Sequence, residues 1–157
     1  MEKSIEDKNA LDKARKIINH LLKIRLRSEN EVRQRLKQKN VSPEIIETTM
    51  DEFKKIDLIN DRYFARMWIN DRLAKPLGAV RIAYELKTKG VSEEIYKEEL
   101  EEILSVFDEE SIALKLAEKR AQLYKKIDRL KRRHRLYGFL SRRGFHQKII
   151  QKIIQKF

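Results

Sequence analysis

No cysteine occurs among the 157 residues, which removes disulfides, cysteine-ligated zinc and thiol catalysis together. Glycine occurs four times and proline twice, too few for long loops or a succession of hairpin turns. No apolar run lasts more than a few residues before a charge interrupts it, so none reaches the length of a membrane span. Met1-Glu2-Lys3-Ser4 is not followed by the apolar core of a signal peptide. A cytoplasmic protein is expected. The three histidines, His20, His134 and His146, include no pair at i, i+4 that could share a metal. No glycine-rich phosphate loop is present, because Gly78, Gly90, Gly138 and Gly144 are isolated. The serines fall largely at caps or on polar faces, and none sits in a strand–turn–helix elbow. No catalytic residue, metal site or cofactor is expected.

What the chain does have is charge and helical periodicity. Charged residues make up 39% and apolar residues 41%, enough for a core under a strongly ionic surface. The net charge of +12 is unevenly spread. Residues 1–73, with the N-terminal helix, a first three-helix repeat and the start of a second, carry about +4. Residues 74–122, the remainder of the second repeat and the start of a third, carry about −3. Residues 123–157, the basic end of the third repeat, hold twelve Lys and Arg against the single acid Asp128. A field of that sign attracts polyanions, nucleic acid first among them.

Apolar spacing is helical throughout, as in Leu11, Ala14, Ile18, Leu21 and Leu22. Ser28 and Glu31 form a capping-box pattern, Asn40 can stop a helix in the left-handed conformation, and Pro43 suits a first helical position. Asn60, Ser92 and Asp108 are further N-caps, and Gly90 and Gly144 are C-terminal stops. Nine helices are predicted near 5–26, 28–39, 43–56, 61–74, 79–89, 93–105, 109–124, 128–143 and 146–156.

An internal repeat organises them. Leu36-Lys37-Gln38-Lys39-Asn40-Val41-Ser42-Pro43-Glu44-Ile45 matches Leu86-Lys87-Thr88-Lys89-Gly90-Val91-Ser92-Glu93-Glu94-Ile95, and Leu140-Ser141-Arg142-Arg143-Gly144-Phe145-His146-Gln147-Lys148-Ile149 is a third copy. Val41, Val91 and Phe145 should staple the turns. Ile45, Ile95 and Ile149 should pack the following helix. Ala65 aligns with Ala113 and Arg72 with Arg120. The fold class is therefore all-α: three tandem three-helix repeats in an elongated array that can curve.

Phe64, Met67 and Trp68 share one helical face and read as core, with Phe64 and Trp68 between the first two repeats. Arg62 and Arg66 should project elsewhere and stay available to a partner. Lys75-Pro76-Leu77-Gly78 reads as a tight connection in which Gly78 supplies an unusual backbone angle. Glu93, Glu94, Glu98, Glu99, Glu101 and Glu102 should spread around a solvated face. The strongest functional signal is the third repeat, where Arg129, Lys131, Arg132, Arg133, Arg135, Arg142, Arg143, Lys148 and Lys152 are candidate nucleic-acid contacts. Contact with phosphates rather than bases is expected. Tyr137, Phe139 and Phe145 are expected in the core of that repeat rather than as base-stacking platforms.

The repeated turn, the Asn60-Asp61…Phe64-Ala65…Trp68…Arg72 helix, the Pro76-Leu77-Gly78…Glu85-Leu86…Lys89-Gly90-Val91 segment and Phe139-Leu140-Ser141-Arg142-Arg143-Gly144-Phe145 together resemble the RecX family of RecA inhibitors over about residues 8–156. The resemblance implies a protein that binds the RecA–DNA filament along its groove and inhibits the recombinase without cofactor or turnover; a monomer is expected. It leaves the RecA-contacting surface open, with Arg62, Arg66, Arg72 and Arg81 as candidates. Weak, non-specific contact with single- and double-stranded DNA is expected. Asn60-Asp61 stands where that family often has paired acids, Asn40 where glycine is common, and His146 where serine is commoner. The alternative is a stand-alone helical DNA-binding protein using a helix pair like a helix-turn-helix. The acidic second repeat speaks against it.

Overall fold

The computed structural model describes residues 2–157, with side chains from Glu6 onward. Its helices are α1 (Glu2–Ile24), α2 (Glu29–Gln38), α3 (Pro43–Lys55), α4 (Asp61–Ala74), α5 (Ala79–Thr88), α6 (Glu93–Leu104), α7 (Glu109–Ala121), α8 (Arg129–Arg143) and α9 (Gln147–Ile154), with a 3₁₀ turn at Gln122–Tyr124 closing α7. Local chemistry sets their ends. The Ser28 hydroxyl accepts from the Glu31 amide at 3.2 Å while the Glu31 carboxylate accepts from the Ser28 amide at 3.2 Å, a reciprocal capping box. Asn60, Ser92 and Asp108 cap α4, α6 and α7 through their side chains. Asn40, Gly90 and Gly144 all stop helices at positive φ (56°, 77° and 82°).

Packing divides the helices into three units, α1–α3, α4–α6 and α7–α9, and every substantial helix–helix contact lies within a unit. Each unit has its own core. Ala14, Ile18, Leu36 and Met50 close the first, Ile69, Ile82 and Leu86 the second, and Leu136, Leu140, Ile150 and Ile153 the third. Val91 and Phe145 are buried under their turns, and Val41 is half-buried. The accessible surface of 10535 Å² exceeds the roughly 8300 Å² of a compact monomer of 18.9 kDa. The units therefore form an extended array.

Polar contacts between the middle helices join the units. The first turn of α2 meets the end of α5: the Ser28 hydroxyl donates to the Lys89 carbonyl at 2.6 Å, and the Lys89 ammonium reaches Glu31 at 3.0 Å. The Glu29 amide donates to Asp61 at 2.8 Å, so Asp61 caps α2 from the neighbouring unit. The first turn of α5 meets the end of α8 in the same way. There Gly78 N–H donates to the Arg143 carbonyl at 2.8 Å and Val80 N–H to the Gly144 carbonyl at 3.0 Å. Unsatisfied donors of one helix start thus meet unsatisfied acceptors of the next helix end.

Three expectations change here. Gly78 has ordinary extended angles, φ −80° and ψ 159°. Its role is close approach, since a Cβ there would overlap the Gly144 carbonyl and the Phe145 amide nitrogen. Trp68 is half-buried rather than enclosed. Its ring lies between the Arg72 guanidinium (4.0 Å) and the Lys89 ammonium (4.3 Å), and its indole N–H donates to Glu85 at 3.1 Å. Phe64 is buried beside it, whereas Met67 is exposed.

Candidate nucleic-acid interface

Charge pairing separates the units. In the first, Arg15 of α1 grips Glu52 of α3 with two bonds, 2.9 and 2.7 Å. The second repeats this pair as Arg66 and Glu102, at 2.7 Å, and adds Arg62 with Glu98 at 2.7 Å. Glu99 lies between them with no exposed surface, accepting from Arg62 at 2.9 Å and Arg66 at 2.7 Å. The acids of α6 are therefore not all solvated, and Arg62 and Arg66 are not free: they cover a buried carboxylate. Burial alone would raise the Glu99 carboxyl, but Arg66 and Arg62 more than reverse this and hold it below the usual range. Arg72 and Arg81 share Glu85, at 2.5 and 3.2 Å. The signal for these pairs was in the sequence, as Arg62 and Arg66 one turn apart facing Glu98 and Glu102 one turn apart. Which helices would face each other was not.

In the third unit the arrangement reverses. Glu110 stands at the repeat position of Arg62, and Lys152 at that of Glu98. They pair at 2.8 Å with the signs exchanged. That is the only ion pair of the third unit among the described residues. Among the described residues, the other cations there find no carboxylate.

These cations fall into two groups. Arg132, Arg133 and Arg143 are half-buried and donate to backbone carbonyls. Arg132 reaches Ile127 at 3.3 Å, Arg133 reaches Ile154 at 2.9 Å, and Arg143 reaches Lys75 at 3.2 Å in the connection before α5. They terminate helices and join units. Arg129, Lys131, Arg135, Arg142 and Lys148 are exposed and form no ion pair among the described residues. Lys131, Arg135 and Arg142 follow one another at helical spacing opposite the buried Leu136 and Leu140. The stripe runs about 16 Å along α8, long enough to pass several phosphates at about 3.4 Å of rise per nucleotide. Gly138 interrupts it without a side chain, and the Arg142 guanidinium folds back over that gap.

The aromatics are only partly core. Phe145 is buried and Tyr137 is exposed. Phe139 is half-buried, with the guanidiniums of Arg120 and Arg143 over its ring at 5.2 and 5.5 Å. Tyr124 carries Arg120 and Arg135 at 5.5 Å each.

Family models for the first, second and third three-helix domains of RecX match residues 14–53, 60–100 and 108–154. A regulatory protein RecX from Chlorobium phaeobacteroides is 33% identical over 152 residues, spanning 96% of this chain and 95% of the relative. The chain belongs to the RecX family. A regulatory protein RecX from Amycolatopsis mediterranei is 32% identical over 145 residues, 92% of this chain and 82% of that one. The crystal structure of RecX from Lactobacillus salivarius shares the fold with a TM-score of 0.86, covering 95% of this chain and 97% of that one at 24% identity. Each of the three matched ranges falls within one packing unit, the first beginning inside α1 and the second ending inside α6. No described helix is long and apolar enough to cross a membrane.

Proposed function

We propose that this RecX-family chain binds RecA–DNA filaments and lowers recombinase activity by stoichiometric binding, as a cytoplasmic monomer without catalytic turnover. In this reading the exposed stripe Lys131, Arg135 and Arg142, with Arg129 and Lys148 beside it, holds DNA phosphates without reading sequence. The observation that carries it is the contrast in pairing. Arg62 and Arg66 of α4 are matched by acids of α6, whereas the α8 stripe has no acid partner among the described residues. Arg132, Arg133 and Arg143 fix the surroundings of the stripe through backbone carbonyls, and Lys152 is paired with Glu110. The RecA-facing surface is assigned to the half-exposed rims of Arg62, Arg66 and Arg81, with Arg72 held beneath Trp68.

The test adds purified protein to RecA on single-stranded DNA and follows ATP hydrolysis and filament length. Both should fall in proportion to the protein added. An unchanged filament at saturating protein, together with tight sequence-selective binding to duplex, would replace this reading with a stand-alone DNA reader.

A further inference from the structure

The first unit carries a second cationic surface that lies far from the basic end of the sequence. Two adjoining cavities, about 450 and 400 Å³, form one groove between α1 and α2. Lys13, Lys16 and His20 stand on the α1 side, at spacings of three and four that share a helical face. Arg35 and Lys39 stand on the α2 side, and Arg27 closes one end. The floor is apolar: Ile17, Leu21 and Ile24, the last 63% exposed.

The charge in this groove is unbalanced. Its only lining carboxylate among the described residues, Glu31, is already held by Arg25 at 2.6 Å and Lys89 at 3.0 Å. Lys13, Lys16, Arg27, Arg35 and Lys39 have no ion-pair partner among the described residues. The Arg27 Nε–H is buried without a hydrogen-bond partner among the described residues, an arrangement that costs free energy until an acceptor arrives. Burial, and then the positive charge of Arg25, push the Arg27 guanidinium below its ordinary value; Glu31 offsets part of this and Arg35 adds to it. An anion placed there would relieve both effects.

We propose that the α1–α2 groove is a docking site for an acidic peptide segment of a partner protein, one that carries apolar side chains between its carboxylates. The mixed lining decides the class. A nucleic-acid backbone would satisfy the cations but leave Ile17, Leu21 and Ile24 against phosphates. A peptide of Asp, Glu and Leu places carboxylates on Arg27, Arg35 and Lys16 and lays its apolar side chains on the floor, the helix-in-groove mode of recognition. The arginines offer carboxylates a two-pronged grip. This site is independent of the DNA reading for α8, because the two surfaces lie in the first and third units and share no residue.

The experiment uses the full chain and a short fluorescein-labelled peptide of Asp, Glu and Leu, followed by fluorescence anisotropy. The wild type should bind the peptide, and Arg35→Gln or Lys16→Gln should weaken binding roughly tenfold, about what one charge-assisted hydrogen bond contributes. Arg35 and Lys16 are exposed, so these variants should keep the wild-type melting curve. Ile24→Ser should weaken the Leu-containing peptide and leave a peptide of Asp and Glu alone unchanged, which separates the floor from the rim. Arg135→Gln and Arg142→Gln should leave peptide binding as it is. The proposal is overturned if no binding is seen, or if binding ignores Arg35 and Lys16. It is also overturned if a single-stranded oligonucleotide displaces the peptide and itself depends on those two residues, in which case the groove is a second nucleic-acid surface.

Discussion

The Gly78 amide donates to the Arg143 carbonyl at 2.8 Å, so α5 begins where α8 ends. The same junction recurs between Ser28 and Lys89, and the middle helices of the three units therefore run head to tail. Where a helix end is docked, as at Gly90 and Gly144, the stop is glycine with a side chain or backbone pressed against it. Where the end is free, as at Asn40, asparagine suffices, because only the positive φ must be met.

Substitutions at these positions should separate the two demands. Gly78→Ala should destabilise by about 1–3 kcal/mol, the range of an overpacked site, although its backbone angles suit alanine. Gly144→Ala should cost more, since the left-handed conformation adds about 1–2 kcal/mol. Asn40→Gly should change stability by less than about 1 kcal/mol. Denaturant unfolding followed by circular dichroism measures all three. Equal effects at Gly78 and Asn40 would mean that the junction is not tightly packed.

Acid should loosen the joint between the first two units. Burial would raise the Glu31 carboxyl, but Arg25, Lys89 and the Ser28 amide override it and hold the group at about 2, against 4.5 for the free side chain. Because the folded value is depressed, the stability it contributes is present above about pH 4.5 and disappears as pH falls toward 2. The contribution is on the order of 2 kcal/mol. Glu31→Gln should remove that part of the acid sensitivity, and unfolding midpoints at pH 6 and pH 3 would show whether wild type and variant converge.

Trp68 is the only tryptophan and reports on the same joint. Trp68→Ala should cost about 2–3 kcal/mol, less than an enclosed aromatic, since the ring is half-buried and part of its contribution is cation–π. Trp68→Phe should retain the stacking yet leave Glu85 without its indole donor, for a loss of about 1 kcal/mol. Chemical unfolding gives both values. A wild-type midpoint for Trp68→Ala would assign the ring to binding instead of folding.

The two classes of cation on α8 should behave differently. Arg135→Gln with Arg142→Gln should leave the melting temperature unchanged and reduce the slope of log affinity against log salt by about 1.4 on single strands, about 0.7 for each phosphate no longer neutralised. Arg133→Gln and Arg143→Gln should instead lower stability by about 1–2 kcal/mol, because carbonyls of Ile154 and Lys75 lose their donors. Salt titrations on mixed-sequence DNA, run beside melting curves, test the division. A drop in salt slope for Arg133→Gln at unchanged stability would contradict it.

Much of the chain is readable from local chemistry. Ser28 with Glu31, Asn40, Pro43, Asn60 and Asp108 each announce a helix boundary because a cap acts within a few residues of itself, and the repeated Leu–stop–apolar–cap pattern set the count of units. Tertiary structure decided the rest. The reason for glycine at position 78 lies in Gly144, which sequence distance conceals. Glu99 looks like any acid on an acidic helix until α4 brings Arg62 and Arg66 across it. The basic residues of α8 divide into solvent-exposed and carbonyl-bound groups only once the ends of α8, α9 and the α4–α5 connection are placed. The α1–α2 groove collects cations from three separate stretches whose summed charge is diluted by acids elsewhere in the first unit. Caps and periodicity depend on neighbours along the chain, whereas burial, pairing and exposed charge depend on neighbours in space.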